Sequence, residues 1–157
     1  MNSVASFQLR VASFDVQFVT GNWQLATDNN MKLRCVYNSI RIRIRKSELQ
    51  QLDNEGIITE TVSFGGTTMF AYALAVDAMR DEVNADLTDN LLAVHIPLVV
   101  AQKWITSNQV GIEVTKELDN GENLHILIEK DFPCVDRVAE DKTDTFTELA
   151  TKKPDVC

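Results

Sequence analysis

The 157 residues include 15 lysines and arginines against 23 aspartates and glutamates, which gives a formal net charge of −8 at pH 7. With 45% hydrophobic and 24% charged residues, the composition is that of a globular domain and excludes a wholly disordered chain. The negative charge argues against general nucleic-acid binding, because neutralising phosphates needs a positive surface. The longest apolar run, residues 91–101, is too short for a membrane span, so we expect no membrane partner.

The three cysteines are odd in number and lack the spacing of a metal knuckle. We interpret Cys35, Cys134 and Cys157 as reduced thiols, which favours a cytoplasmic protein. The amino terminus has neither a basic segment nor a continuous apolar segment, so no signal peptide is expected. We predict no metal and no cofactor.

Residues 1–30 are the least regular part of the chain. Apolar residues alternate in 7–11 and, after a change of phase, again in 14–18, which fits two short strands joined by a bulge. The alternative, which we favour, is an extension that precedes the domain, because residues 27–30 form a polar break before Met31. Whether this extension is ordered stays open.

From Met31 the pattern becomes regular. Residues 31–36 and 39–45 alternate on either side of a turn near Asn38, which predicts a hairpin. The second strand reads Ser-Ile-Arg-Ile-Arg-Ile-Arg, so its isoleucines share a core-facing side and its arginines share the other. Ser47 and Gln50 then form a capping box that begins a short helix, and Gly56 ends it.

Two further hairpins and a second helix follow. Residues 57–64 and 69–76 flank Gly65-Gly66, and the face that carries Leu74 is expected to be the core face. Residues 77–90 are polar and acidic and predict a loop. A strand over 92–96 leads to Pro97 as the first residue of a helix that ends near residue 105. Residues 110–115 and 124–129 form the last hairpin around Asp119-Asn120-Gly121.

About seven strands and two short helices predict an α+β domain with a mainly antiparallel, curved sheet, and barrel-like closure stays open. Short connections favour antiparallel order, and no internal repeat is apparent. The predicted boundaries are an extension over 1–30, one globular domain over 31–136 and a charged, mobile tail over 137–157.

The row of arginines is the sharpest chemical feature of the sequence. Residues two apart on a strand lie about 6.6–7 Å apart, and guanidinium groups bind phosphate and carboxylate with two parallel hydrogen bonds. One hypothesis is therefore an anion-binding site formed by Arg41, Arg43, Arg45 and Lys130. The alternative, which we favour, is a solvated face whose arginines pair with acids of neighbouring strands, namely Glu113, Glu117 or Glu129.

Three charged residues fall in phase with apolar rows. If Glu60, Lys116 and Lys130 all point inward, they would line a polar cavity. In such a cavity, as in a phosphate-processing tunnel, arginines would bind an anion and acids would hold a metal. We favour the simpler interpretation that the lysines reach water at strand ends and that inward charges protect sheet edges.

No catalytic motif is recognisable. Cys134 lies among carboxylates, and His95 or His125 is a conceivable base for a thiol nucleophile. A small, half-buried cysteine at a strand end is the interpretation we favour. The catalytic residues are therefore unknown, and the sequence leans towards a protein that is not an enzyme.

Two runs of sequence carry a resemblance to a known family. The runs Asn-Ser-Ile-Arg-Ile-Arg-Ile-Arg-Lys-Ser-Glu over 38–48 and Ile-Leu-Ile-Glu-Lys-Asp-Phe-Pro-Cys over 126–134 resemble a small bacterial family of unknown function. The resemblance covers about residues 31–146 and implies that members begin near Met31, which supports an extension before it. It implies no reaction, ligand or catalytic residue.

Two functions remain as hypotheses. The first is a non-enzymatic cytoplasmic domain that acts by surface recognition or by self-association as a homo-oligomer. The second is an anion-binding or phosphate-processing protein that uses the arginine row.

Overall fold

The computed structural model describes residues 8–11, 14–17 and 31–132 and three positions nearer the carboxyl end, Asp144, Phe146 and Glu148. In the extension, β1 (Gln8–Val11) and β2 (Phe14–Gln17) pair as an antiparallel hairpin, at the places where two short strands are predicted. The other residues before Met31 lie outside the described part, so the predicted boundary at residue 30 stays a prediction.

Two helices and eight further strands make up the rest of the described chain. In chain order they are β3 (Lys32–Val36), β4 (Ser39–Ile44), α1 (Lys46–Glu55), β5 (Ile57–Ser63), β6 (Met69–Asp77), β7 (Asn84–Thr88), β8 (Leu91–Pro97), α2 (Leu98–Ile105), β9 (Gly111–Glu117) and β10 (Asn123–Lys130). These strands form two sheets that do not close into a barrel, and the predicted α+β class is confirmed. No helix in the described ranges is long and apolar enough to span a bilayer.

The two sheets differ in the side chains on their outer faces. The arginine sheet, named for Arg41 and Arg43, has the strand order β3-β4-β10-β9. The alanine sheet, named for Ala71, Ala73 and Ala75, has the order β5-β6-β8-β7. The three predicted hairpins are antiparallel, as is the β7–β8 hairpin that was not predicted, whereas the central pairs β4–β10 and β6–β8 are parallel. The prediction of mainly antiparallel sheets is confirmed, and the two parallel pairs join strands that no short turn connects.

The architecture is an internal duplication that the sequence does not reveal. Each half has the order strand, strand, helix, strand, strand, and each half gives one hairpin to each sheet. Equivalent backbone hydrogen bonds occur in both halves: the N–H of Val76 donates to Gly56 O at 2.8 Å and that of Lys130 to Val110 O at 2.9 Å. The sequence shows no repeat because the same backbone arrangement carries different side chains in its two halves.

The core lies between the inner faces of the two sheets and both helices. Ile42 and Ile44 of β4 are completely buried, which confirms the isoleucine face as a core face. Leu74 of β6 and Trp104 of α2 are buried in the same cluster. On the outer face of the alanine sheet, Ala73 is also buried and belongs to a second, small apolar cluster.

The segment predicted as a loop over 77–90 contains an edge strand. β7 pairs antiparallel with β8, and Asp89 and Asn90 both have positive φ values in the tight turn between them. Residues 84–88 do alternate polar with apolar side chains, with Asn84 and Asp86 hydrogen bonded to each other, but the run is short and its apolar residues are a small Ala85 and an exposed Leu87. An edge strand of five residues with polar side chains resembles a loop in composition.

Both helices begin differently from the prediction. The N-cap of α1 is Arg45, and its backbone N–H donates to the carboxylate of Glu48 at 2.7 Å, so Ser47 and Gln50 do not form the cap. Ser47 instead hydrogen bonds to Asp144. Gly56 ends α1 with a left-handed φ of 75°, as predicted. Pro97 closes β8 and caps α2, which begins one residue later than predicted.

Three residues of the predicted mobile tail contact the domain. Phe146 is buried in the main core, and its N–H donates to Asp131 O at 2.9 Å. Glu148 accepts a hydrogen bond from Lys46 at 3.0 Å, and Asp144 accepts from Ser47. At these three positions the segment is packed against the domain, and its other residues lie outside the described part.

Candidate functional site: the arginine face

Four cations lie side by side on the outer face of the arginine sheet. The register of the β3–β4 hairpin places Lys32 opposite Arg43 and Arg34 opposite Arg41. Because side chains alternate along a strand, these four residues share the face opposite the isoleucines. We call this group the arginine face.

One carboxylate from the neighbouring strand serves two of the arginines. The Nε atom of Arg41 donates to Glu129 Oε2 at 2.8 Å, and the Nε atom of Arg43 donates to the same oxygen at 3.2 Å. The Nη2 atom of Arg41 lies 2.6 Å from that oxygen but is not aligned for a hydrogen bond. The parallel pairing of β4 with β10 brings Glu129 here, and Glu129 is one of the three acids expected to face the arginines.

The other two cations differ in their partners. Lys32 donates to Asp131 Oδ2 at 2.8 Å, and the side chain of Asp131 is almost fully buried. Arg34 is exposed and makes no hydrogen bond or ion pair with any described residue. The four cations and the two carboxylates, Glu129 and Asp131, therefore leave a local charge of +4 − 2 = +2.

Two residues of the predicted anion site do not join this group. Arg45 caps α1, and its buried Nε atom has no hydrogen-bond partner within the described part of the chain. Lys130 lies on the core side of β10, where its Nζ atom donates to Trp104 O at 3.0 Å and Ser107 O at 2.6 Å. The structure thus brings Arg41 and Arg43 together with Arg34, and it places Lys130 on the opposite side of the sheet.

Lys130 closes the carboxyl end of α2. Its ammonium also lies 5.7 Å from the centre of the Trp104 ring and 5.8 Å from that of Phe146, within the range of cation–π attraction. Burial lowers the pKa of Lys130, and the negative charge of Glu148 partly opposes this effect. Its role is structural, because its hydrogen bonds satisfy carbonyl groups that a helix end leaves without partners.

The other inward charges do not line one shared cavity with Lys130. Lys116 hydrogen bonds to Asn84 at 2.5 Å, where the edge of one sheet approaches the edge of the other. Glu60 lies on the inner face opposite Tyr72, whose hydroxyl donates to Met31 O at 2.7 Å. Burial and the charge of Glu48 raise the pKa of Glu60, although the backbone N–H of Met31 lowers it. Glu60, Lys116 and Lys130 therefore contact different groups and do not line one cavity.

A second charged cluster, missed by the sequence analysis, lies at the alanine sheet. Arg80 donates to Asp86 at 2.7 Å and to Asp77 at 3.3 Å. His95 is buried between these aspartates, with its ring nitrogens 3.7 Å from Asp77 and 3.6 Å from Asp86. Burial lowers the pKa of His95, and Arg80 lowers it further, while the two aspartates act in the opposite direction. The imidazole is therefore neutral at pH 7.

The two charged clusters occupy equivalent places in the duplicated fold. Arg43 and His95 each lie four residues beyond the first residue of a parallel pairing, and Asp131 and Asp77 each lie six residues beyond the first paired residue on the other strand of that pairing. The sequence signal for this cluster is an aspartate at the end of a strand in each half, Asp77 in one and Asp131 in the other. The two positions can be recognised as equivalent only after the halves are aligned by their strand pairing.

The remaining nucleophile and metal candidates give no site. Cys35 is exposed, yet local burial raises the pKa of its thiol. Cys134 and Cys157 lie outside the described residues. His125 lies 3.0 Å from the Thr115 hydroxyl across the β9–β10 pair, in a different sheet from His95. Among the residues that the structure describes, no group of three or more histidines, cysteines or acids is arranged to hold a metal.

A comparison with family models shows where this chain belongs. The model of a family of unknown function, DUF7009, matches residues 31–149. The chain is a member of the DUF7009 family. The match begins at Met31 and covers β3 through β10, both helices and the three described positions after residue 140. This confirms the resemblance to a family of unknown function, and no curated protein and no solved structure matches the chain.

Proposed function

We propose that this protein is a non-enzymatic, cytoplasmic recognition domain that binds an anionic group of a partner on its arginine face. The observation that carries the proposal is the unequal pairing on that face. Four cations share two carboxylates, and Arg34 has no counter-charge among the residues that the structure describes. An anion that reached Arg34 would complete the pairing.

The chemistry of these groups favours binding over catalysis. Guanidinium groups stay charged at neutral pH, so they hold an anion but do not exchange protons with a substrate. Glu129 already accepts hydrogen bonds from Arg41 and Arg43, so Arg34 is the guanidinium group most available to a ligand on this face. The net charge of −8 lies elsewhere on the molecule and opposes anions at long range, so binding depends on close contact.

Titration with simple anions tests the proposal. We expect tripolyphosphate or an oligoglutamate to bind the full chain in isothermal titration calorimetry, and binding should weaken as salt is added. Arg34→Gln should weaken binding about tenfold, in line with the loss of one charge-assisted hydrogen bond. Lys103→Gln is the matched control, because it removes an exposed cation of α2 away from this face.

Two results would contradict the proposal. One is the absence of binding to any of the anions at low salt. The other is equal affinity in the wild type and in Arg34→Gln. Light scattering during size-exclusion chromatography should accompany the titration, because it reports whether the chain self-associates before the anion is added.

A further inference from the structure

The strand that carries Lys32 and Arg34 is an edge of its sheet. β3 pairs with β4 on one side, and no other described strand pairs with it on the other side. In an antiparallel ladder, alternate residues direct their backbone N–H and C=O groups away from the partner strand. Four of its five residues are exposed, the exception being Leu33. The outer edge of β3 therefore offers unpaired backbone groups to another strand.

The side chains of this edge discriminate between incoming strands. Lys32 and Arg34 point to the same face, about 7 Å apart along the strand. A second copy of β3 added here would bring like charges opposite one another, which is destabilising. The same cations would attract a strand with acidic residues at alternate positions, because their spacing matches that of Lys32 and Arg34.

We propose that the partner is an extended acidic peptide segment that adds to β3 as a fifth strand of the arginine sheet. This inference rests on the proposed function and specifies its partner. Backbone hydrogen bonds to β3 supply the alignment, and alternate carboxylates pair with Arg34 and Lys32. Arg34 contributes most, because Lys32 already pairs with Asp131 whereas Arg34 has no counter-charge among the described residues.

Synthetic peptides separate strand addition from simple attraction between charges. The parent is a nine-residue peptide that alternates glutamate with threonine, and a control of the same composition groups its glutamates in one block. Two further peptides carry N-methyl groups, one on the glutamates and the other on the threonines. Only one of these two sets of N–H groups can face β3 in an added strand.

The expected result is a difference between the two methylated peptides. One should bind at least about tenfold more weakly than the parent, and the other should stay within about threefold of it, because methylation on the outer edge breaks no hydrogen bond to β3. The grouped control should bind more weakly than the parent, and Arg34→Gln should weaken the parent while Lys103→Gln leaves it unchanged. Amide hydrogen exchange should slow in β3 when the parent binds.

Other outcomes overturn the inference without overturning the proposed function. If both methylated peptides bind as well as the parent, attraction between charges is sufficient and no strand is added. If tripolyphosphate binds through Arg34 but no peptide does, the ligand is a phosphate compound. If neither tripolyphosphate nor any peptide binds, both the inference and the proposed function fail.

Discussion

Gly111 on β9 lies directly against Glu129 on β10. A Cβ atom at position 111 would come within 2.6 Å of the carbonyl oxygen of Ile128 and 3.1 Å of Glu129 Cγ. The missing side chain leaves space for Glu129, which turns the other way and reaches Arg41 and Arg43. Glycine at 111 is therefore a requirement of the arginine face.

Replacing this glycine should destabilise the fold. Gly111→Ala forces the backbone or Glu129 to move, and we expect a loss of about 1–3 kcal/mol in the free energy of unfolding, as for other overpacked sites. Urea denaturation measures the change. Glu113→Ala, at an exposed position two residues along the same strand, is the control and should stay within about 0.5 kcal/mol of wild type. Equal stability of Gly111→Ala and wild type would contradict the steric argument.

Neutralising Glu129 should affect stability and binding in opposite directions. Glu129→Gln leaves two partly buried guanidinium groups without a carboxylate, and we expect a loss of about 1–3 kcal/mol of stability. The affinity for tripolyphosphate should rise, because the internal anion no longer competes for the arginines. Urea denaturation and calorimetry test the two effects. Weaker anion binding in this variant would show that Glu129 positions the arginines rather than competes for them.

His95 should make the protein less stable in mild acid. Its pKa is lowered in the folded state, so the unfolded state takes up a proton first, near the ordinary histidine pKa of about 6.5. The stability that the neutral His95 contributes to the folded state is fully present above that pH and is lost as the pH falls below it. Denaturation curves between pH 8 and pH 5 should show this decrease, and His95→Gln should show a smaller one. His125→Gln, at an exposed position, serves as the control.

Glu60 should have the opposite effect to His95 and make the folded state less stable as the pH rises. Its pKa is raised on folding, so its ionisation destabilises the folded state as the pH rises above the ordinary glutamate value near 4.5. We expect Glu60→Gln to be more stable than wild type at pH 7, and the difference should disappear towards pH 4. Thermal unfolding across this range measures it. A constant difference at every pH would show that packing, rather than charge, is responsible.

Lys130 and Lys116 form a matched pair of inward lysines. Lys130→Met should cost about 1–3 kcal/mol, because it removes the ammonium donor from Ser107 O and leaves Trp104 O with the longer, 3.4 Å hydrogen bonds from Ser107. Lys116→Met should cost less than about 1 kcal/mol, because Lys116 contacts only the amide of Asn84 near a sheet edge. Similar losses in both variants would contradict the helix-closing role of Lys130.

Local pattern predicted three of the hairpins and the core face of β4, because both depend on residues close together in the chain. The alternation over 39–45 determined which side of β4 is buried, and Gly56 determined where α1 ends. The position of Glu129 depends on the parallel pairing of β4 with β10, which joins segments more than 80 residues apart. Sequence reasoning could include Glu129 among the acids opposite the arginines but could not select it.

The side to which Lys130 points was missed for a different reason. The alternation along β10 correctly placed Lys130 on the same side as the apolar residues. The anion-site hypothesis nevertheless grouped it with arginines of the opposite face. The carbonyl groups that hold its ammonium come from the end of α2, and their closeness depends on how that helix packs. His95 was ambiguous for the same reason, because Arg80 and Asp86 approach it only through the β7–β8 pairing.

The duplicated architecture also restricts how the chain can fold. Since each sheet takes one hairpin from each half, neither half alone can complete a four-stranded sheet, and the central strand pairs form only when both halves are present. Such long-range pairing is typical of slow folding. A chain cut between β6 and β7 would yield two fragments with the same order of elements. The first would carry both the arginines of β4 and the alanines of β6, and each fragment would regain its full set of strand partners only by recombining with the other.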